Sequence, residues 1–347
     1  MRWIEAPRGA QVWLLRSMLV VAASISAQTG LAGQSLTYSS GQTVSPAYEG
    51  FEANPDGSYN LIFGYMNRNW LEEVDVPVGE GNSFSPGPAD RGQPTHFLPR
   101  RNRFTFKVRV PADFGDQELV WTLTTRGETK MAYGSLRQDL LIDNIVVASE
   151  TGALGAGRSD PETRSNTPPE IMIDGSRTAN ARVGQPVTLT ARVTDDGLPL
   201  TTAQRRERAR AQRVVAGTPA ATPAPADSAN ATPEVSPEMR ALQRAFTEPD
   251  RVTVAKSLGL HFTWFVYRGQ NTANFEPIQI KPWEDTRAWM NSPWAPFWVA
   301  PPVPEDGRWV ARVTFDEPGT YVLRGRADDG SLYADQEVTV NVAPLAN

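Results

Sequence analysis

"RFTFKVRV" (residues 103–110) alternates apolar and polar side chains: Phe104, Phe106, Val108 and Val110 on one side, Arg103, Thr105, Lys107 and Arg109 on the other. A helix would scatter the four apolar positions around its axis, so the period of two selects a strand with one wet face. "ELVWTLTT" (118–125) repeats the pattern with Leu119, Trp121 and Leu123. "SYNLIFGYM" (58–66) and "ETKMAYGSL" (128–136) add aromatic strands, and "DFGDQ" (113–117) is turn chemistry between strands. The spacing predicts an antiparallel β-sandwich over 40–148.

Residues 149–169 lack periodicity and collect Gly, Ser, Asp and Pro, the composition of a linker. Strand patterns then resume in "PVTLTARV" (186–193), "LHFTWFVY" (260–267), "RWVARVTF" (308–315), "TYVLRGRA" (320–327) and "QEVTVNV" (336–342). They predict a second sandwich over 170–345, so the whole chain reads as all-β. An insertion, 198–256, interrupts it. Its first part, "TTAQRRERARAQRVV" (201–215), suits a short helix with a solvated arginine-rich surface. Its Ala- and Pro-rich middle, 216–237, carries too little apolar surface to bury a core and is expected to be disordered.

In "EPGTYVL" (317–323) Tyr321 stands two positions before Leu323, the pattern of a tyrosine corner. Trp264 lies on the third strand, and Leu189 and Leu323 stand where antibody domains place their paired cysteines. On these residues the segment 168–345 resembles the immunoglobulin-like domains of bacterial surface proteins, above all the polycystic-kidney-disease (PKD) and cadherin-like types. The resemblance implies a two-sheet sandwich and, from the cadherin-like side, calcium where domains meet.

The 347 residues carry a net charge of −5 with no long block of one sign, which argues against nucleic acid as a partner. Arg2 and Arg8, a short apolar run from Met18 to Ile25 and the small residues of "ASISAQ" (23–28) read as an export signal, 1–27, cut after Ala27. No later segment approaches the ~20 apolar residues of a membrane-spanning helix. The expected location is therefore the periplasm or the cell exterior, with no transmembrane segment in the mature chain. The chain has no cysteine, so disulfides, thiolate metal sites and a cysteine nucleophile are excluded.

His96 and His261 are the two imidazoles. His261 alternates with core positions and is expected to face solvent, while His96 falls in a loop, "GQPTHFLPRRNR" (92–103), beside Arg100, Arg101 and Arg103. Those three arginines form a candidate clamp for a carboxylate or phosphate. The motifs G-x-S-x-G, H-E-x-x-H, P-loop and G-x-G-x-x-G are absent, and the chain is read as non-enzymatic with no organic cofactor.

Two acidic turns, "VTDDGLP" (193–199) and "RADDGSL" (326–332), each follow a strand that ends at the same pole of an immunoglobulin-like sandwich. Asp195, Asp196, Asp328 and Asp329 would converge there, and hard oxygen ligands of this kind suit calcium. The stretch "KPWEDTRAWMNSPWAPFW" (281–298) places Trp283, Trp289, Trp294 and Trp298 among prolines at that pole, after a short strand "EPIQI" (276–280). Rings so placed serve either as interdomain packing or as a stacking platform for a glycan. The reading is an exported binding or assembly protein of the bacterial cell envelope whose partner is an envelope protein or polysaccharide. The alternative is a carbohydrate-binding accessory module, or a carbohydrate-active enzyme, using the aromatic loop 281–309.

Overall fold

The computed structural model describes residues 40–151, 153, 160–215, 256–270, 273–282 and 301–345. The export signal 1–27, the Ala/Pro-rich segment 216–237 and all four loop tryptophans (Trp283, Trp289, Trp294 and Trp298) lie outside these residues.

The first sandwich faces a sheet of β1 (Val44–Ala53), β2 (Tyr59–Asn67) and β6 (Arg100–Val110) against one of β4 (Asn82–Ser85), β7 (Leu119–Thr125) and β8 (Glu128–Gly134). A small ladder of β3 (Val74–Asp75) and β5 (His96–Phe97) closes one side. Its core is aromatic. Trp121 stacks on Phe84 at 5.9 Å and meets Phe106 edge-on at 5.1 Å, while its indole N–H donates to Asn82 Oδ1 at 2.9 Å. That bond removes the penalty a buried indole would otherwise carry.

Helix α1 (Asn144–Thr151) runs into the start of the stretch read as a linker, and a short helix α2 (Pro161–Ser165), capped by Asp160 through Thr163 N–H, lies within it. Within the expected insertion, helix α3 (Thr202–Val215) forms as the arginine-rich stretch suggested.

The second sandwich contains β9 (Glu170–Ile173), β10 (Thr178–Arg182), β11 (Val187–Thr194), β12 (His261–Arg268), β13 (Ala273–Glu276), β14 (Arg308–Phe315), β15 (Gly319–Asp328) and β16 (Tyr333–Ala343). One sheet runs β9-β11-β14-β13, the other β10-β16-β15-β12, with β10 parallel to β16. With β10 left out of the count as an extra edge strand, that order is immunoglobulin-like: first, second, fifth and fourth strands (β9, β11, β14, β13) face third, sixth and seventh (β12, β15, β16). Trp264, Leu189 and Leu323 share one core, as their positions implied. Gly325 sits opposite Trp264, where an added Cβ would lie 2.6 Å from the Phe262 ring and 3.0 Å from the indole. The strand expected at 276–280 is displaced: β13 ends at Glu276, before the Pro277 that cannot donate to a ladder.

Tyr321 is buried and its hydroxyl donates to Glu317 O at 3.0 Å, which makes the corner. Tyr321→Phe is expected to lower stability by about 1 kcal/mol, the net worth of one such bond. Urea unfolding measures it, and an unchanged midpoint would show that the hydroxyl adds nothing beyond the ring.

Candidate functional site

The site begins with a break in the alternation of residues 103–110. The register of β2 against β6 shifts between Phe63 and Tyr65, and Phe104 on β6 takes φ 48°. Phe106, Val108 and Val110 stay in the first core, but Phe104 crosses to the opposite face and packs with Ile62 and Ile142. A left-handed non-glycine residue costs on the order of 1–3 kcal/mol, so the surroundings must hold it. They do: the Phe104 carbonyl accepts from Tyr333 Oη of the second sandwich at 2.6 Å.

This face meets the outer face of β12, β15 and β16. Arg324 lies 3.4 Å over the Tyr267 ring and donates to Thr105 O at 2.5 Å and to Glu337 Oε1 at 2.6 and 3.0 Å. Arg326 stacks on Tyr333 and pairs with Asp335 at 2.7 and 2.8 Å. Burial alone would raise the Asp335 carboxyl, but the Arg326 and Arg324 guanidiniums and the Lys281 ammonium outweigh it and hold it below the usual carboxylate range. Burial pushes the Tyr267 phenol up to about 12, and its hydroxyl donates to Gly92 O. Further along, Thr95 N–H donates to Tyr267 O at 3.2 Å, and Arg268 pairs with Asp90 at 2.6 Å. The two sandwiches thus share a continuous polar and aromatic seam, and both lie within one compact unit, Ser40–Asn347.

Beside the seam a cleft of about 400 Å³ opens between them. Ile62, Phe104, Ile142 and Leu332 give it an apolar lining, and Glu52, Lys107 and Asp143 contribute charge. Lys107 and Glu52 are paired at 2.7 Å. An apolar hollow with a few convergent polar groups is what small-ligand and peptide sites look like.

The arginine clamp does not form. "PRRNR" is the start of β6 rather than a loop, and its three arginines turn to separate internal partners. Arg100 stacks over Trp70 at 4.0 Å, Arg101 pairs with Glu49 at 2.5 Å, and Arg103 pairs with Glu150. Each of the three guanidiniums is engaged by a different partner, so they do not converge on one point.

The acidic turns do lie at one pole, yet their carboxylates are engaged one by one. Asp196 Oδ2 accepts from the N–H and hydroxyl of Thr167 at 2.9 and 2.8 Å, and Asp329 Oδ2 accepts from Asn166 Nδ2 at 3.0 Å. Asp195 accepts from Gly197 N–H, and Asp328 pairs with Lys256 at 2.7 Å. Consecutive residues 166 and 167 therefore tie both turns to the interdomain segment. Among the described residues no group of three or more His, Asp or Glu side chains is placed to hold a metal ion. The two turns form a hydrogen-bonded brace, each carboxylate engaged by a different donor.

Both histidines are buried, contrary to the solvent-facing position expected for His261. His261 Nε2 meets Ile280 O at 3.2 Å, since residues 277–282 cover the outer side of β12. His96 is not in a loop but on β5, with Nδ1 2.7 Å from Asp75 and Nε2 3.0 Å from Glu73. Burial works against its charge, but the Asp75 and Glu73 hydrogen bonds and charges prevail and raise it to about 9. The cleft itself was not foreseen. No signal in the sequence marks it: Thr105 occupies an ordinary polar position of the alternation, and its burial beside Phe104 is seen only in the fold.

Among the described residues no helix is long and apolar enough to cross a membrane. No protein-family model and no curated protein matches the chain. Among solved structures it is similar to domains 4 and 5 of the S-layer protein SbsC, at 9% identity over 87% of this chain and 98% of that one, with a TM-score of 0.21. It is also similar to the Yersinia pseudotuberculosis adhesin InvE, at 10% identity over 86% of this chain and 58% of that one, with a TM-score of 0.20. The eight N-terminal immunoglobulin domains of Down Syndrome Cell Adhesion Molecule match at 9% identity over 87% of this chain but 27% of that one, with a TM-score of 0.21. Scores this low carry no argument about activity or partners; the assignment as an all-β, immunoglobulin-like chain rests on its own strand order and its tyrosine corner.

Proposed function

We propose that this protein is an exported, non-catalytic binding or assembly component of the bacterial cell envelope, and that it grips its partner in the cleft between its two sandwiches. The supporting observation is the cleft of about 400 Å³ beside the seam, with an apolar lining and charged side chains. The polar side chains around it are matched to one another, as in Lys107 with Glu52 and Arg326 with Asp335, rather than arranged as nucleophile, base and oxyanion donors. A preorganised hollow of this kind favours binding, because little ordering is left to be done when the partner arrives.

Ala334 lines the cleft without joining any of these pairs. Ala334→Trp is expected to fill it and reduce retention on isolated cell envelopes by about tenfold or more. Thermal unfolding of the same variant checks that both sandwiches persist. Undiminished retention by a folded Ala334→Trp protein would remove the cleft from the function.

A further inference from the structure

The cleft touches consecutive residues 104–107 of β6 and 333–335 at the start of β16. Neighbouring residues of a strand point to opposite faces, so a hollow that reaches all of them lies along the strand's edge. Among the described residues β6 pairs with β2 alone, and β10 covers β16 only over 339–343. Both edges therefore turn unpaired main chain toward the cleft.

On β6 the direction of that main chain follows from the seam. Thr105 O accepts from Arg324, so it points away from β2. The N–H of the same peptide group, on Phe106, points the opposite way, into the β2 ladder, and from there the directions alternate. Lys107 and Arg109 thus hold their N–H and C=O outward. Neither side chain shields them, as charged residues on a guarded edge do. Lys107 Nζ reaches across β2 to Glu52 of β1 at 2.7 Å, and Arg109 pairs with Asp56 in the turn between β1 and β2.

What remains unmatched identifies the occupant. The charges of the cleft are engaged within it: Lys107 by Glu52, Arg324 by Asp335 in the seam, and Asp143 by Val146 N–H of helix α1. The open polar groups are the outward amides of β6, and the floor beside them is apolar, built from Ile62, Phe104 and Ile142. A row of alternating N–H and C=O is matched by another extended main chain, whose alternate side chains meet the apolar floor. Resting on the cleft reading above, we propose that the partner is a polypeptide, and that an extended segment of it, apolar at alternate positions, adds as a strand to the free edge of β6 at Lys107 and Arg109.

Lys107→Pro tests this on isolated cell envelopes, with Lys107→Ala as its control. Proline removes the outward N–H and sets its ring where the added strand would lie, while the β2 ladder, in which that N–H takes no part, stays whole. Both variants lose the contact to Glu52. Lys107→Pro is expected to lower retention by about tenfold or more, and Lys107→Ala by no more than about twofold. Envelopes stripped with protease should lose the protein, and envelopes whose glycans are oxidised with periodate should keep it. Hydrogen exchange in segment 105–110 of the wild type should slow on the envelopes, a readout that stands even if Lys107→Pro does not fold. Strand addition is overturned by equal retention of the two variants, by retention on stripped envelopes, by loss after periodate, or by dimerisation of the chain alone that Lys107→Pro abolishes. If Ala334→Trp releases the protein and a folded Lys107→Pro does not, the cleft stands and the edge falls; if neither releases it, the cleft reading itself fails.

Discussion

Arg324→Ala is expected to destabilise the joined sandwiches by about 3–5 kcal/mol, the range for removing one partner from a buried charge network. Arg324 is 6% exposed and its guanidinium does three jobs at once. It covers the Tyr267 ring, it neutralises Asp335 and Glu337 on its own sheet, and it donates to the Thr105 carbonyl of the first sandwich. The last contact is the one that crosses the seam, so the loss should not be confined to one sandwich. Calorimetry of the wild type should show one transition for Ser40–Asn347, and the variant two, with the second sandwich melting first. A single transition at an unchanged temperature would mean that the seam is held by its apolar contacts alone.

The second large effect is a dependence on pH. His96 is 2% exposed, and its value rises from 6.5 to about 9 in the fold. A raised imidazole binds its proton more tightly when folded, so the stabilisation is fully present below about pH 6.5 and is lost as pH rises toward about 9. The shift corresponds to about 3 kcal/mol. Denaturation curves at about pH 6 and pH 9.5 should differ by that much, and His96→Gln should remove most of the difference while lowering stability on the acid side. The strain would appear first in the β3–β5 ladder, because Glu73 and Asp75 then face each other across a neutral ring. A wild-type protein equally stable at both pH values would show that the imidazolium is not the form the fold selects.

Much of the architecture follows from local rules. Alternation in "VTLTARV" (187–193) sets β11, since a period of two allows only one face to enter a core. The corner at Tyr321 is a short-range device, a hydroxyl reaching back four positions to Glu317. The turns "DDG" (195–197 and 328–330) likewise form from their own side chains, with Asp195 accepting from Gly197 N–H and Asp328 from Gly330 N–H.

Which charges are neutralised, and by what, is settled over long separations. Arg324 meets Thr105, and Tyr333 meets Phe104, across more than two hundred residues. No periodicity records such a pairing, because each side chain is compatible with solvent until the other sandwich arrives. The same holds for His96, which reads as a loop residue until Asp75 of β3 and Glu73 just before it close over the ring. Phe104 is the sharpest case. Its strand predicts an inward ring, and the alternation around it is unbroken in the sequence. What turns it outward is a register shift against β2, which is stable only because Ile62, Ile142 and Tyr333 receive the ring and its carbonyl. The sequence by itself determined the strands and their faces, since those depend on neighbours one or two residues away. The seam and the cleft were decided by tertiary structure, because burial of an arginine or an exception to a strand's alternation is favourable only when a distant surface completes it.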